Sequence, residues 1–100
     1  MPAYMIFTRT GPVTDQAEMD AYGAANRANA GRYVADYGLK PLSVYGKLDA
    51  VEGPAPEGIV LLEVPSADAA RAWYASPEYQ TAMEHRLKGA PYTAVIIEGL

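Results

Sequence analysis

Cysteine is absent from this chain of 100 residues, and histidine and phenylalanine each occur only once. Without cysteine there is no disulfide framework, no thiolate nucleophile and no cysteine-bound zinc or iron–sulfur cluster. The single histidine, His85, excludes a site with several histidine ligands inside one subunit, although a two-fold axis could bring two copies together. We therefore expect neither a metal nor a cofactor.

Long apolar runs and clusters of positive charge are also missing. No run approaches the roughly 18 apolar residues that a membrane span needs, and the amino terminus lacks the basic segment and cleavage site of exported proteins. The net charge is −4, and the eight lysines and arginines are scattered along the chain. These features predict a soluble, cytoplasmic protein that binds neither membranes nor nucleic acid.

The length allows a single domain, residues 1–100, because a chain of this size has no room for a second core. A domain this small buries only about two-thirds of the surface that its unfolded chain exposes. Its core is therefore modest, and association with a second copy would add to the buried surface. We expect an oligomer on size alone.

The first strand and the first helix follow from the residue pattern at the start of the chain. Residues 3–9 form an apolar run rich in aromatic and β-branched residues, which predicts a strand. Asp15 followed by Glu18 resembles a capping box, and apolar residues then recur at helical spacing until Gly38. This pattern predicts a long helix with a bend near Gly31.

The remaining elements are predicted in the same way. The stretch from Leu42 to Val51 predicts a long, irregular second strand interrupted by Gly46, and residues 52–58 form a loop rich in proline and glycine. Residues 58–64 predict a third strand and residues 92–98 a fourth. Between these strands Ser66 begins one short helix and Ser76 another, since serine is a favoured N-cap.

The resulting order is strand, helix, strand, strand, broken helix, strand, which predicts an α+β ferredoxin-like fold (βαββαβ): a four-stranded antiparallel sheet with its helices on one face. Strands one, three and four are apolar at both odd and even positions, so the uncovered face would expose a large apolar patch. We expect a second copy to cover it, giving a homodimer joined through the sheet faces. Leu61 or Ile96, whichever lies on that face, would belong to the interface.

Four segments resemble a known bacterial family. They are Leu48 to Gly53, Leu62 to Ser66, Ala70 to Tyr79 and Val95 to Gly99. Together they are similar to the family called domain of unknown function 1330, over essentially the whole chain. The resemblance implies the dimeric α/β-barrel superfamily, in which two ferredoxin-like sheets pack face to face. That superfamily includes cofactor-free monooxygenases, lactone isomerases, haem-dependent enzymes and transcriptional ligand sensors, so membership does not choose a reaction.

The chain departs from that family's pattern at two places. Where the family usually reads Arg-Gly-Gly, this sequence has Val44-Tyr45-Gly46, and Gly58 replaces an arginine that often opens the third strand. If those arginines bind an anionic ligand in relatives, the resemblance implies that this chain prefers a less charged molecule or binds through other groups. Tyr45 is the expected substitute.

Three residues are the candidates for catalysis. The helical spacing places Arg86 in the middle of the apolar face of the last helix, and a buried cation needs a partner. Glu63, a carboxylate in an otherwise apolar strand, is the expected partner, and the pair could be structural or could belong to a site. The same spacing directs His85 to solvent, away from Ala82 and Leu87 on the apolar face.

Tyrosine is unusually frequent, with eight residues against a single phenylalanine. Its ring packs like an apolar side chain while its hydroxyl can bind a ligand, so pockets and interfaces both favour it. The candidates for ligand binding are Tyr4, Tyr33, Tyr45 and Tyr79. Trp73 follows two alanines on one helical stripe and is predicted to lie in the core.

Two functions remain open, and the sequence does not decide between them. The first is a binding protein that holds a small apolar or aromatic metabolite between the sheet and the helices, through tyrosines and the Arg86–Glu63 pair. The second is a cofactor-independent enzyme of isomerase or monooxygenase type, in which Glu63, His85 or a tyrosine moves a proton and Arg86 stabilises an oxyanion. A scaffold without a ligand is a third hypothesis.

Overall fold

Four strands form a single antiparallel sheet in the computed structural model, which describes residues 1–100. The strands are β1 (Ala3–Arg9), β2 (Lys40–Val44), β3 (Gly58–Val64) and β4 (Tyr92–Glu98), in the spatial order β2-β3-β1-β4. The helices are α1 (Gln16–Tyr37), α2 (Ala67–Tyr74) and α3 (Pro77–Gly89). None of the three has the length and apolarity that crossing a membrane requires. The chain therefore has the predicted ferredoxin-like arrangement, with its second helix split in two.

One face of the sheet is covered by helices. On this face Ala3, Met5 and Phe7 of β1 are buried and pack with Leu62 and Val64 of β3. Because β1 lies between β3 and β4, its side chains occupy the middle of the sheet, where the helices cover them best. The core is thus a single layer of side chains between sheet and helices, as expected of a two-layer domain.

The open face of the sheet carries the alternate side chains of each strand. Ile6 pairs with Leu61 of β3 and with Val95 of β4, so these three residues share the open face. Val95 and Ile97, two residues apart on β4, are 53% and 54% exposed. Leu61 therefore lies on the face predicted to form an interface, whereas Ile96 packs against the core on the covered face.

α1 begins and ends where the sequence predicts. The side chain of Asp15 accepts a hydrogen bond from the backbone N–H of Glu18 at 3.2 Å. At the other end Gly38 takes a φ of 66°, and its N–H bonds to carbonyls in the last turn of the helix. The bend near Gly31 stays a prediction.

The break between α2 and α3 comes from a second N-cap inside the helical segment. Ser66 starts α2 by accepting a hydrogen bond from the N–H of Ala69 at 3.0 Å. Ser76 starts α3: its hydroxyl oxygen accepts from the N–H of Tyr79 at 3.3 Å and donates to the carbonyl of Trp73 at 2.7 Å. Trp73 is 2% exposed, which confirms its predicted place in the core.

β2 is shorter than the sequence predicts. It covers only Lys40–Val44, and residues 45–57 form no strand, so the prediction of a long second strand is wrong. Its irregularity is confirmed by a shift of register between Pro41 and Ser43. The strand ends because Tyr45 takes a φ of 53°, a left-handed conformation that turns the chain out of the sheet.

α1 packs along α3 and against α2, and its backbone approaches the sheet much less closely. α2, by contrast, contacts β1, β3 and β4 directly. The neighbouring helices therefore hold α1 away from the sheet, and space remains beneath it.

Candidate functional site

A cavity of about 460 Å³ lies between α1 and the helix-covered face of the sheet. Of the 17 residues that line it, 13 are hydrophobic, so it is suited to an apolar ligand. We call this cavity the α1 pocket. Its sheet side includes Phe7, Leu62 and Tyr92, and its helix side includes Tyr22 and Ala30.

Two of the α1 residues that line the pocket are small. Gly23 and Ala30 lie two helical turns apart on one stripe, and neither fills the space beneath the helix. Arg27 lies between them, and its guanidinium lies close to Gly23, since a Cβ on this glycine would come within 3.1 Å of Arg27 Nη1. Together with Val44 and Tyr45, which are 58% and 42% exposed, Arg27 forms the mouth of the pocket.

Tyr22 and Tyr79 share a hydrogen bond beside the pocket. Their hydroxyl oxygens are 2.9 Å apart; Tyr22 lines the pocket, and Tyr79 is fully buried. Burial raises the pKa of both phenols because it disfavours the charged phenolate, and the nearby charge of Arg86 opposes this effect. Both groups are therefore neutral at pH 7 and serve as hydrogen-bond donor and acceptor.

A second pair of hydrogen-bonded tyrosines connects the two edges of the sheet. Tyr45 follows β2 and Tyr92 begins β4, the two edge strands, and their hydroxyls are hydrogen-bonded to each other. The ring of Tyr45 lies over Gly58 of β3, where a Cβ would come within 2.7 Å of Tyr45 Cδ1. Burial raises the pKa of Tyr45, and the hydrogen bond with Tyr92 raises it further. Tyr45 and Gly58, where the sequence is expected to depart from the pattern of the family it resembles, therefore adjoin each other.

Tyr33 and Asn26 complete the polar lining. The hydroxyl of Tyr33 donates to Oδ1 of Asn26 at 3.4 Å, and both residues line the pocket. Burial raises the pKa of Tyr33 to about 12, so this phenol is also neutral at pH 7. The lining contains no carboxylate and no histidine, and Arg27 supplies its one formal charge.

Arg86 is buried, as predicted, but it lacks the predicted partner. It is 4% exposed, and its guanidinium lies 5.5 Å from the ring centre of Phe7 and 5.3 Å from that of Tyr92. It forms no ion pair, and its Nε has no hydrogen-bond partner. Glu63 lies on the open face of the sheet, paired in register with Tyr4. The predicted Arg86–Glu63 pair is therefore wrong, because alternate residues of a strand point to opposite faces.

His85 is half-buried, where the sequence predicts a side chain directed to solvent. The side chain is 39% exposed, and its Nδ1 lies 2.6 Å from Oε2 of Glu18, across the contact between α3 and α1. Leu87, expected on the buried face, is instead 65% exposed. His85, Arg86 and Glu63 thus lie in three separate places and form no common acid–base site.

The four tyrosines predicted to bind a ligand divide into two groups. Tyr33 and Tyr45 line the α1 pocket, and Tyr79 is joined to it through the hydroxyl of Tyr22. Tyr4 lies on the open face of the sheet, so its expected place in a pocket between sheet and helices is wrong. The alternation of β1 decides this, since the helix-covered face takes the odd-numbered residues.

The sequence did not single out four polar residues of the lining as site residues: Tyr22, Asn26, Arg27 and Tyr92. Tyr22 and Asn26 lie four residues apart on the recurring stripe of α1, so the helical pattern contained a signal for both. Arg27 and Tyr92 carry no such signal. Their place in the lining depends on how far α1 stands from the sheet, which the sequence pattern does not set.

Residues 2–100 match the family described as Domain of unknown function (DUF1330). The chain belongs to this family. The match spans nearly the whole chain, which confirms the resemblance seen in the sequence. Among curated proteins, none matches the chain.

Solved structures share the fold of this DUF1330 protein. A dimeric ferredoxin-like protein of unknown function from Jannaschia sp. CCS1 has a TM-score of 0.74 and 15% identity, over 99% of this chain and 100% of that one. A protein of unknown function from Rhodopseudomonas palustris has a TM-score of 0.69 and 20% identity, over 99% and 82%. A protein from Caulobacter crescentus CB15, provisionally described as an antibiotic biosynthesis monooxygenase, has a TM-score of 0.62 and 15% identity, over 99% and 90%. Likenesses at these identities establish the fold alone.

Proposed function

We propose that this DUF1330 protein is a homodimer in which each subunit binds a small, largely apolar or aromatic molecule in the α1 pocket. The observation that carries the proposal is the pocket itself, because a volume of about 460 Å³ lies within the usual range for small-molecule sites. A ligand bound there would displace water from a lining in which 13 of 17 residues are hydrophobic, and burial of apolar surface is favourable.

The polar groups of the pocket suit orientation of a ligand better than reaction with it. The hydroxyls of Tyr22 and Tyr45 and the amide of Asn26 can each exchange hydrogen bonds with a ligand hydroxyl or carbonyl. The raised pKa values of the two phenols keep them neutral. A few such groups in an apolar wall are typical of sites that bind and orient small molecules.

The open face of the sheet supports the homodimer. Ile6, Leu61, Val95 and Ile97 form an apolar strip on this face, and exposed strips of this kind mark interfaces. A second copy is the occupant that we propose, since a two-fold contact lets one apolar face cover another. The Jannaschia protein, which has the same fold, is described as dimeric.

A cofactor-independent enzyme of monooxygenase or isomerase type is the second candidate, favoured by the provisional description of the Caulobacter protein. Proton transfer in the α1 pocket would need an ionisable group within reach of the ligand. Arg86, Glu63 and His85 do not line the pocket, and the raised pKa values of its phenols oppose their action as bases. Binding without reaction therefore has the stronger support.

The remaining expectations from the sequence stay predictions. They are a cytoplasmic location and the absence of a nucleic-acid partner, a metal and a cofactor. A binding experiment that detects no ligand would favour the third hypothesis, a scaffold without a ligand.

A neutral apolar fluorescent probe, N-phenyl-1-naphthylamine, tests the proposal directly. We expect saturable binding with about one probe per subunit and a rise in emission, as the probe leaves water for an apolar site. Ala30→Phe should abolish this binding, because Ala30 lines the pocket and a phenyl ring there would occupy its space.

Ala28→Phe is the matched control. Ala28 lies on the same helix, is exposed and does not line the pocket, so binding should be unchanged. The proposal fails if the wild type shows no saturable binding. It fails equally if Ala30→Phe binds the probe as well as Ala28→Phe does, since the probe would then lie elsewhere.

A further inference from the structure

The arginines of the chain fall into two groups that differ in their partners. There are five of them: Arg9, Arg27, Arg32, Arg71 and Arg86. Arg32 and Arg71 form ion pairs with carboxylates at 2.6 Å and 2.9 Å, and their side chains are 57% and 63% exposed. The other three form no ion pair with a carboxylate, and all three lie on or beside the α1 pocket.

Arg27 is the cation at the mouth of the pocket. It is the one lining residue with a formal charge, and its side chain lies against Gly23. The residues three and four positions away on α1 are all glycine or alanine, so no carboxylate of the same helix is within reach. Its guanidinium is therefore free to bind a group at the mouth.

Arg86 is a second cation, inside the core. Its guanidinium lies over the rings of Phe7 and Tyr92, and both rings line the pocket. A guanidinium that is 4% exposed and has no carboxylate partner is disfavoured, because burial removes the water that stabilises its charge. A negative charge in the pocket would compensate it across surroundings of low polarity, where charges interact strongly.

Arg9 is the third unpaired cation. Its guanidinium lies 5.8 Å from the ring centre of Tyr45, another lining residue, and its Nη2 donates to the backbone carbonyl of Glu57 at 3.4 Å. Its Nε is buried without a hydrogen-bond partner, as is that of Arg86. Both arginines with such an orphaned Nε therefore lie against rings of the pocket wall.

Negative charge does not offset these cations. Glu78 influences the lining residue Tyr33 electrostatically, but Arg32 already neutralises this carboxylate at 2.6 Å. The chain as a whole has a net charge of −4, so the positive surroundings of the pocket are a local feature and do not follow from composition.

We propose that the ligand of the α1 pocket is an amphipathic organic acid, with an apolar or aromatic body and one carboxylate. This inference rests on the proposed function, since it names the class of molecule that the pocket binds. The apolar body would fill the space beneath α1, and the carboxylate would bind Arg27 at the mouth, where a guanidinium can donate two parallel hydrogen bonds. Arg9 and Arg86 would attract the same charge from the walls. One carboxylate on the ligand suffices because, apart from Arg27, the lining is apolar or neutral.

Naphthalene-1-carboxylate and naphthalene-1-carboxamide differ in charge but hardly in size, so the pair tests the inference. By isothermal titration calorimetry at low salt, the wild type should bind the carboxylate about tenfold more tightly than the amide, as expected when a hydrogen bond gains a charge. Arg27→Gln should remove most of this preference, because it should weaken binding of the carboxylate much more than binding of the amide. Arg71→Gln is the control. Arg71 is exposed and forms its ion pair within α2, so this variant should keep the preference for the carboxylate.

The outcomes distinguish the organic-acid inference, the role of Arg27 and the proposed function. Equal affinity of the wild type for the two compounds would overturn the organic-acid inference and leave pocket binding intact. So would binding of the neutral probe without binding of either naphthalene compound. A preference that survives Arg27→Gln would overturn the role of Arg27. Failure of the neutral probe to bind the wild type would count against the proposed function itself. Arg27 is exposed, and an unchanged circular dichroism spectrum would show that its variant folds.

Discussion

Tyr45 is constrained at its backbone, its ring and its hydroxyl. Its φ of 53° is a conformation that residues other than glycine rarely adopt. The conformation is held by a hydrogen bond from its N–H to the carbonyl of Ile59 at 2.9 Å and by the hydroxyl contact with Tyr92. Gly58 leaves the space that the ring occupies. Strain of this kind persists where surrounding contacts enforce it, which is typical of functional sites.

Gly58→Ala should destabilise the protein by about 1–3 kcal/mol, the usual range for overpacking. The added Cβ would lie 2.7 Å from Cδ1 of Tyr45. In a Tyr45→Ala background the same substitution should have little effect, because the ring is gone. Urea unfolding of the four proteins at one protein concentration measures this coupling. Equal destabilisation in both backgrounds would show that the ring does not need the space above Gly58.

Tyr33 makes stability depend on pH in the alkaline range. Burial raises its pKa to about 12 in the folded chain, whereas an unfolded chain ionises tyrosine near the ordinary value of about 10. The folded state therefore retains a proton that the unfolded state loses, so this contribution is complete below pH 10 and is lost as the pH rises through 12. Tyr33→Phe should lose less stability than the wild type between these values. Parallel curves of unfolding free energy against pH would contradict this prediction.

The burial of Arg86 could be predicted from the sequence, but its surroundings could not. Apolar residues that recur at helical spacing indicate which face of a helix is buried. This spacing placed Arg86 correctly on the buried side of α3. β3 is apolar at both Leu61 and Leu62, so its pattern does not reveal which set of residues faces the helices. Glu63 was therefore assigned to the wrong face. The absence of a carboxylate partner for Arg86 follows from that alternation and appears only in the structure.

At the scale of the helix, the two serine caps differ in burial and should differ in strength. Ser76→Ala should destabilise the protein by about 1–2 kcal/mol, since the hydroxyl joins buried backbone groups of Trp73 and Tyr79. Ser66→Ala should have a smaller effect, because Ser66 is only half-buried and water can replace its hydroxyl. Denaturant unfolding compares the two variants. An effect of Ser66→Ala as large as that of Ser76→Ala would contradict this ranking.

Most element boundaries could be predicted because their signals are local. β1, β3 and β4 cover the same residues as the apolar runs, and the caps at Asp15, Ser66 and Ser76 mark where the helices begin. The end of β2 was missed because a tyrosine gives no sign that it will adopt a left-handed conformation. Tyr45 adopts it through contacts with β3 and β4, which lie far away in the sequence.

At the scale of the whole molecule, nothing in the sequence predicts the size of the α1 pocket. Its volume depends on how far α3 and α2 hold α1 from the sheet, and that distance is set by packing between helices. The expectation of a site between sheet and helices follows from the fold, but the lining follows from the assembled molecule. Tyr92 illustrates this, since it reaches the pocket from the edge strand farthest from β2.

Leu61→Asp should give monomeric or insoluble protein, because it places a charge in the middle of the open face that we propose as the dimer interface. Leu87→Asp is the matched control: Leu87 is 65% exposed on α3, on the helix side of the molecule, and the dimer should remain. Sedimentation velocity reports the assembly of both variants. A soluble dimer of Leu61→Asp with an unchanged sedimentation coefficient would rule out this interface.

The most direct test of the account is native mass spectrometry of the wild type and of Ala30→Phe, each incubated with N-phenyl-1-naphthylamine. The measurement counts subunits and bound molecules in one spectrum. We predict a wild-type dimer that carries one probe on each subunit, and an Ala30→Phe dimer that carries none. A wild-type monomer would contradict the homodimer, and equal numbers of bound probes in the two proteins would contradict the α1 pocket as the binding site.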